Sequence, residues 1–191
     1  TGGRLHIAHS ASARMNILGN FIMEAGTFYM TYHLSGGILD VAGDFRSSGY
    51  FAFTYEIGNS GTSVLNVHGS CFVDGGRFIM SRSPGEGSGL INLSGDLTID
   101  GGGVITEESE GAGFGSVVFN GSSMQLFRAN GAVTNTIHFT VNEGSFLQMG
   151  TDPSQITGDG NFTLSSGSTL GITSPFGITS TGTLINSGNI A

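Results

Sequence analysis

The chain has 191 residues, 34 of them glycine, and its six basic residues, all arginine, face 14 acidic ones for a formal net charge of −8. A hydrophobic content of 38% with 14 phenylalanines excludes intrinsic disorder, which goes with charge-rich, aromatic-poor chains, and the absence of glycine at every third residue excludes collagen. The acidic balance excludes phosphate-led binding of nucleic acid, which needs a basic stripe.

From Met15 onward the chain repeats itself. Met15–Phe21, Leu39–Phe45, Leu65–Cys71 and Ile91–Leu97 align without gaps, and Val117–Gly121 is a weaker fifth copy. Their glycines, Gly19, Gly43, Gly69, Gly95 and Gly121, stand 24, 26, 26 and 26 residues apart; a fixed period of this size marks a stacked or circular array. Each copy continues through a glycine turn (Ala25-Gly26, Gly49, Gly75-Gly76, Gly101–Gly103) into a second apolar alternation, such as Phe51-Ala52-Phe53 or Phe78-Ile79-Met80. A polar, glycine-rich return closes the unit. Apolar residues two apart between turn residues predict strands, at least two per unit, and no segment carries a helical apolar face.

A hairpin sandwich gives no reason for a whole 26-residue unit to recur in register, whereas in a parallel solenoid each unit is one coil and equivalent residues stack ~4.8 Å apart. The predicted fold is all-β: a right-handed parallel β-helix (β-solenoid) with ~26-residue coils, roughly seven of them by length over period. Ile17, Val41, Val67 and Leu93 form one inward column, and Phe21, Phe45, Cys71 and Leu97 another. Asn16, Asp40, Asn66 and Asn92 form a polar column, and Asn20, Asp44, Ser70, Asp96 and Ser122 a second. Stacked amides and hydroxyls bond along the axis, while Asn and Ser between Asp relieve carboxylate repulsion. Beyond Gly121 the strands are less regularly spaced, as in Ile137–Val141, Phe146–Met149, Phe162–Leu164, Thr169–Ile172 and Gly182–Ile185. Residues 1–191 are expected to form one solenoid segment, with regular coils over about 15–121, irregular ones over 122–191, and Pro153 and Pro175 in loops.

The stretches Gly36–Phe45, Gly115–Gly121, Leu147–Gly150, Ile156–Gly158, Phe162–Thr173 and Gly188–Ile190 carry a likeness. Through them, residues 12–191 resemble the long glycine-rich repeat regions of very large surface proteins of Bacteroidetes, commonly exported by type IX secretion and grouped with adhesins. The resemblance implies extracellular display on a long stalk or fibre and carries over no catalytic residue.

Parallel β-helices also include polysaccharide lyases and hydrolases, so charged clusters matter. Lysine is absent and the arginines are scattered along the chain. Asp96 and Asp100 flank one strand and would suit acid/base hydrolysis, but Asp74-Gly75 and Asp100-Gly101 share a repeat position, where Asp-Gly makes a tight turn. Glu107, Glu108 and Glu110, with Glu86, could gather around calcium, although no calcium-binding loop pattern occurs. His6 and His9 are a weak zinc pair. Tyr32, Tyr55, Arg82 and Glu108 share a column that could stack on sugars or serve as cation–π and ion-pair contacts between coils, the preferred reading. Thr31, Thr54 and Ser81 resemble an ice-binding array that breaks at Glu107. Asn92, Asn120 and Asn161 begin glycosylation sequons of the kind chance supplies in such a composition.

Cys71 has no disulfide partner, being the single cysteine, and falls in a core column, where a buried thiol acts as a small hydrophobe. No apolar run approaches the ~20 residues that span a bilayer, and residues 1–4 form no part of an export signal, which suggests an internal fragment. The expectation is a non-enzymatic structural repeat segment, without catalytic, cofactor-binding or metal-binding residues, in an extracellular adhesin or fibre-forming protein at the cell surface. Expected partners are neighbouring repeat segments or identical subunits stacked end to end, with surface glycans considered; nucleic acid and membrane insertion are not expected. The competing reading is a carbohydrate-binding or polysaccharide-cleaving β-helix.

Overall fold

The computed structural model describes residues 4–8, 12–31, 36–54, 61–83, 87–109, 113–150, 156–173, 178 and 182–191. Among these there is no helix. All named strands fall in three sheets in which neighbours run parallel and lie one coil apart in sequence. One turn illustrates the rest: Ser88–Leu93 lies in sheet 1, Leu97–Asp100 in sheet 2 and Val104–Ser109 in sheet 3. A turn therefore has three strands, within the expectation of at least two, because the repeated glycine breaks the opening run into two sides.

Among the described residues, sheets 1 and 2 each hold eight strands and sheet 3 six. The solenoid makes about six turns, against roughly seven from length over period. The late coils are shorter, and among the described residues their third side is marked by a parallel bridge between Ile156 and Ile178. Leu65 pairs with Ile91 at a step of 26 residues, whereas Phe139 pairs with Phe162 at 23 and Thr169 with Asn189 at 20. The expected irregular coils thus continue the same three-sided stack.

The two predicted inward columns are the observed ones. Ile17, Val41, Val67 and Leu93 pair in succession, as do Phe21, Phe45, Cys71 and Leu97. Behind them the rings of Phe28, Phe51 and Phe78 stack nearly parallel, with centroids 5.0 and 4.7 Å apart. Burying one such side chain contributes about 1.5–3 kcal/mol. Phe119, Phe139 and Phe162 continue a looser stack through the later coils.

The corner between sheets 1 and 2 explains the glycines. Gly43 donates its N–H to the Gly19 carbonyl (3.0 Å), Gly69 to Gly43 (3.0 Å) and Gly95 to Gly69 (2.9 Å), so the four sit directly over one another. A Cβ on Gly95 would lie 2.5 Å from the Gly69 oxygen, closer than backbone can yield. Beside this ladder, the Asn20, Asp44 and Ser70 side chains each accept the backbone N–H of the next coil's residue, at 2.9, 2.8 and 3.1 Å.

Ser122 does not continue that column. Leu97 pairs with Phe127 at a step of 30 residues, so this coil carries extra residues at the corner, and Asp96 accepts from Leu126 N–H (2.8 Å) instead. Gln125 occupies the place of the ladder glycine. Its Nε2 donates to the Leu93 and Gly95 carbonyls (3.0 and 2.5 Å), and its Oε1 accepts from Gly121 N–H (2.8 Å). The side chain, 1% exposed, replaces backbone pairing that the insertion interrupts.

Candidate functional site

Among the described residues the interior is filled by side chains, so a ligand meets an end of the stack or one of its three outer sides. Sheet 3 offers little there. Tyr29, Ala52 and Ile79 form a buried cluster apart from the main core. Thr31, Thr54 and Ser81 are also buried, Thr31 Oγ1 and Ser63 Oγ both donating to the Phe53 carbonyl (2.8 and 2.9 Å). The hydroxyl column therefore satisfies backbone at an inner corner and cannot present an ice-binding surface. At the rim, Arg82 pairs in register with Glu108 as predicted. Arg82 Nη1 donates to Tyr50 Oη (2.7 Å), and Glu108 also pairs with Arg77. Tyr32 and Tyr55 lie outside the described residues. Exposed contacts of this kind hold adjacent coils at about 0.2–1 kcal/mol each.

The outer side of sheet 1 carries the predicted polar ladder. Asn92 Nδ2 donates to Asn66 Oδ1 (2.8 Å), Asn66 Nδ2 to Asp40 Oδ1 (2.6 Å), and Arg14 Nε to Asp40 Oδ2 (2.5 Å). The Arg14 hydrogen bond holds the Asp40 carboxyl below its ordinary value, against the opposing effect of partial burial. The amides donate from Asn92 toward Asp40, which Arg14 meets from the other side, and the run stops where Val118 takes the next register position after Asn92. Its polar groups are turned toward one another.

Sheet 2 presents a different outer side. Arg46, Phe72, Thr98 and Arg128 stack in register, and Asp74 stacks with Asp100 two residues further on. Arg46 is held twice: Nη1 lies 2.6 Å from Asp74 Oδ2, and the guanidinium carbon 4.5 Å from the centre of the Phe72 ring. Asp100 Oδ1 accepts from Gly101 N–H (2.8 Å). Gly75 and Gly101 both have positive φ, 107° and 57°, so the shared Asp-Gly position is the tight turn inferred from the repeat. An open groove of about 500 Å³ runs along this edge, lined by Glu24, Arg46, Ser48, Asp74 and Asp100.

The remaining candidates do not converge. Asp96 and Asp100 stand at opposite ends of their strand, each on a backbone N–H. Among the described residues no three histidine, cysteine or acidic side chains gather as a metal site; Glu86, Glu110, His9 and His33 lie outside them. Glu107 is buried while Glu108 is engaged by arginine. Cys71 is fully buried, which pushes its thiol up to about 12, far from the reactive range. Asn92 and Asn161 serve the fold, Asn161 Oδ1 accepting from Thr183 N–H (2.9 Å).

His138 supplies a testable pH dependence. Burial holds its pKa below the ordinary value, and its Nδ1 accepts from Asn161 N–H (2.9 Å), a bond that a proton on that nitrogen would abolish. The unfolded chain therefore takes up this proton first, so the contribution of His138 is fully present above about pH 6.5 and lost as pH falls through the lower folded value. Unfolding in urea between pH 7 and 5.5 should show a fall in stability that is shallower in His138→Gln.

The three sheets, stacked corners and side-chain ladders define a parallel β-solenoid repeat. No family model matches the chain, and comparison with curated proteins and with solved structures gives no match.

Proposed function

We propose that this chain is a structural repeat segment of an extracellular adhesin or fibre-forming surface protein, serving as a stiff, non-enzymatic stalk. The supporting observation is the parallel pairing of coil on coil among the described strands, reinforced at one corner by the glycine ladder and on sheet 1 by the amide run. Such a body gains length simply by adding coils, each held by its neighbours. The carboxylates best placed for hydrolysis serve turns and inter-coil contacts, which favours a mechanical role over a chemical one. Display at the surface, and kinship with type IX-exported proteins of Bacteroidetes, rest on the glycine-rich sequence resemblance.

The partner of this stalk is another coil. Leu184 and Ile185 on the strand Leu184–Asn186, and Ile190 on Asn189–Ile190, are each about half exposed, and a coil laid on them, from a neighbouring segment or an identical subunit, would bury them. Electron microscopy of the purified chain should show rods or filaments; compact particles without an elongated axis would defeat the reading. Antibody labelling of intact cells bearing the parent protein tests display, with signal expected before permeabilisation.

A further inference from the structure

The three outer sides differ in what they leave open to a ligand. On sheet 3 the central residues are buried, and on sheet 1 the Asp40–Asn66–Asn92 run turns its hydrogen bonds inward on itself. On sheet 2, the side chains of Glu24, Thr98 and Arg128 make no hydrogen bond or ion pair among the described residues, and Asp100 engages only one of its two oxygens. Open donors, open acceptors and an outward aromatic ring therefore lie together on one side of the stack.

We propose that this side of sheet 2 binds an extended, uncharged polysaccharide lying along the solenoid axis. Two lanes run side by side: Arg46, Phe72, Thr98 and Arg128 in one, Asp74 and Asp100 in the other. A sugar hydroxyl both donates and accepts, so neighbouring hydroxyls can donate to the carboxylates of one lane while accepting from the guanidinium groups of the other. Arg46 stands over one face of the half-buried Phe72 ring, and the carbon-bound hydrogens of a pyranose ring suit the part of the ring that stays exposed. Successive residues of a lane lie one coil, ~4.8 Å, apart, a spacing similar to the advance of one ring in a linear glycan. Arg46, already held by Asp74 and Phe72, loses little freedom on binding.

Charge decides against other occupants. A uronate or sulfated chain would meet Glu24, Asp74 and Asp100 on a protein of net charge −8. A cation would find Asp74 already neutralised by Arg46. A peptide strand would seek an open backbone edge, whereas the middle of this sheet offers side chains only.

The inference deepens the stalk reading by giving the stalk a ligand, and rests on that reading for its display. The test is mobility of the purified chain in native gels containing hydroxyethylcellulose, galactomannan or xyloglucan, with polygalacturonate as the acidic comparison. At least one neutral polymer should retard the chain and polygalacturonate should not. Phe72→Ala and the exposed Asp100→Asn should each weaken retardation about tenfold, equivalent to about 1.4 kcal/mol, while Asn66→Ser on sheet 1 leaves it unchanged. Circular dichroism establishes that each variant is folded. Free migration of the folded chain in all three neutral polymers, retardation by polygalacturonate, or unchanged retardation of Asp100→Asn would overturn the proposal. Rods in the microscope without retardation would remove the ligand and keep the stalk; retardation of compact particles would do the reverse.

Discussion

Phe51→Ala is expected to lower the unfolding free energy by about 3–5 kcal/mol, the range for removing a fully buried aromatic ring. Phe51 is 0% exposed and sits at the middle of the Phe28–Phe51–Phe78 stack. The Phe45 and Phe53 rings meet it steeply tilted, at 86° and 71°, with centroids 5.1 and 5.5 Å away. Truncation removes two parallel faces and two edge contacts together, and the surrounding backbone is tied into three sheets that cannot collapse into the gap. Phe51→Leu, which keeps much of the volume, should lose less. Urea unfolding followed by circular dichroism measures both; a loss below about 1 kcal/mol for alanine would be incompatible with a rigidly packed stack.

Gln125→Leu should be nearly as damaging although it keeps the side chain's size. The substitution leaves Gly121 N–H and the Gly95 carbonyl without the partners that Gln125 supplies, while the Leu93 carbonyl keeps the Asn120 N–H (3.0 Å), and each buried orphan costs about 1–3 kcal/mol. A total of at least about 2 kcal/mol is expected. Gln125→Glu separates the contributions: its carboxylate can still accept from Gly121 but has no N–H for the two carbonyls. Hydrogen exchange localises the effect, since the Gly121 amide should exchange faster in Gln125→Leu while the Gly69 amide, bonded to Gly43, keeps its protection. Equal acceleration at both would mean that the corner is not locally held.

The reason one corner could be read from sequence and the other could not is periodicity. Gly19, Gly43, Gly69 and Gly95 announce a shared location because a feature required at every turn appears at every turn, and the same logic correctly placed Cys71 in the core and Asp40, Asn66 and Asn92 in one polar run. Gln125 does its work once. Nothing in the spacing marks it, and counting onward from Gly121 put Ser122 where Leu126 lies. A backbone acceptor left open by an insertion is a three-dimensional fact, although an isolated amide beside an insertion is the signal that could have suggested it.

The outer sides follow the same division. Alternation predicted that Thr31, Thr54 and Ser81 share a column but not which way they face; the inner corner, with Ser63 and the Phe53 carbonyl, decides that. On sheet 2, Arg46, Phe72, Thr98 and Arg128 share a column while differing in chemistry, so no recurring residue type exposed them as a group. Repetition reveals what the scaffold requires everywhere, whereas the residues that vary along a column need coordinates before they can be assembled.

The change in coil length has a mechanical consequence. When tension pulls an end coil free, the slack released depends on the residues in that coil, since extended chain reaches at most about 3.3–3.6 Å per residue. A coil at the 26-residue step between Leu65 and Ile91 would yield about 86–94 Å, and one at the 20-residue step between Thr169 and Asn189 about 66–72 Å. Under load the chain would lengthen in increments of unequal size, shedding force one turn at a time instead of snapping.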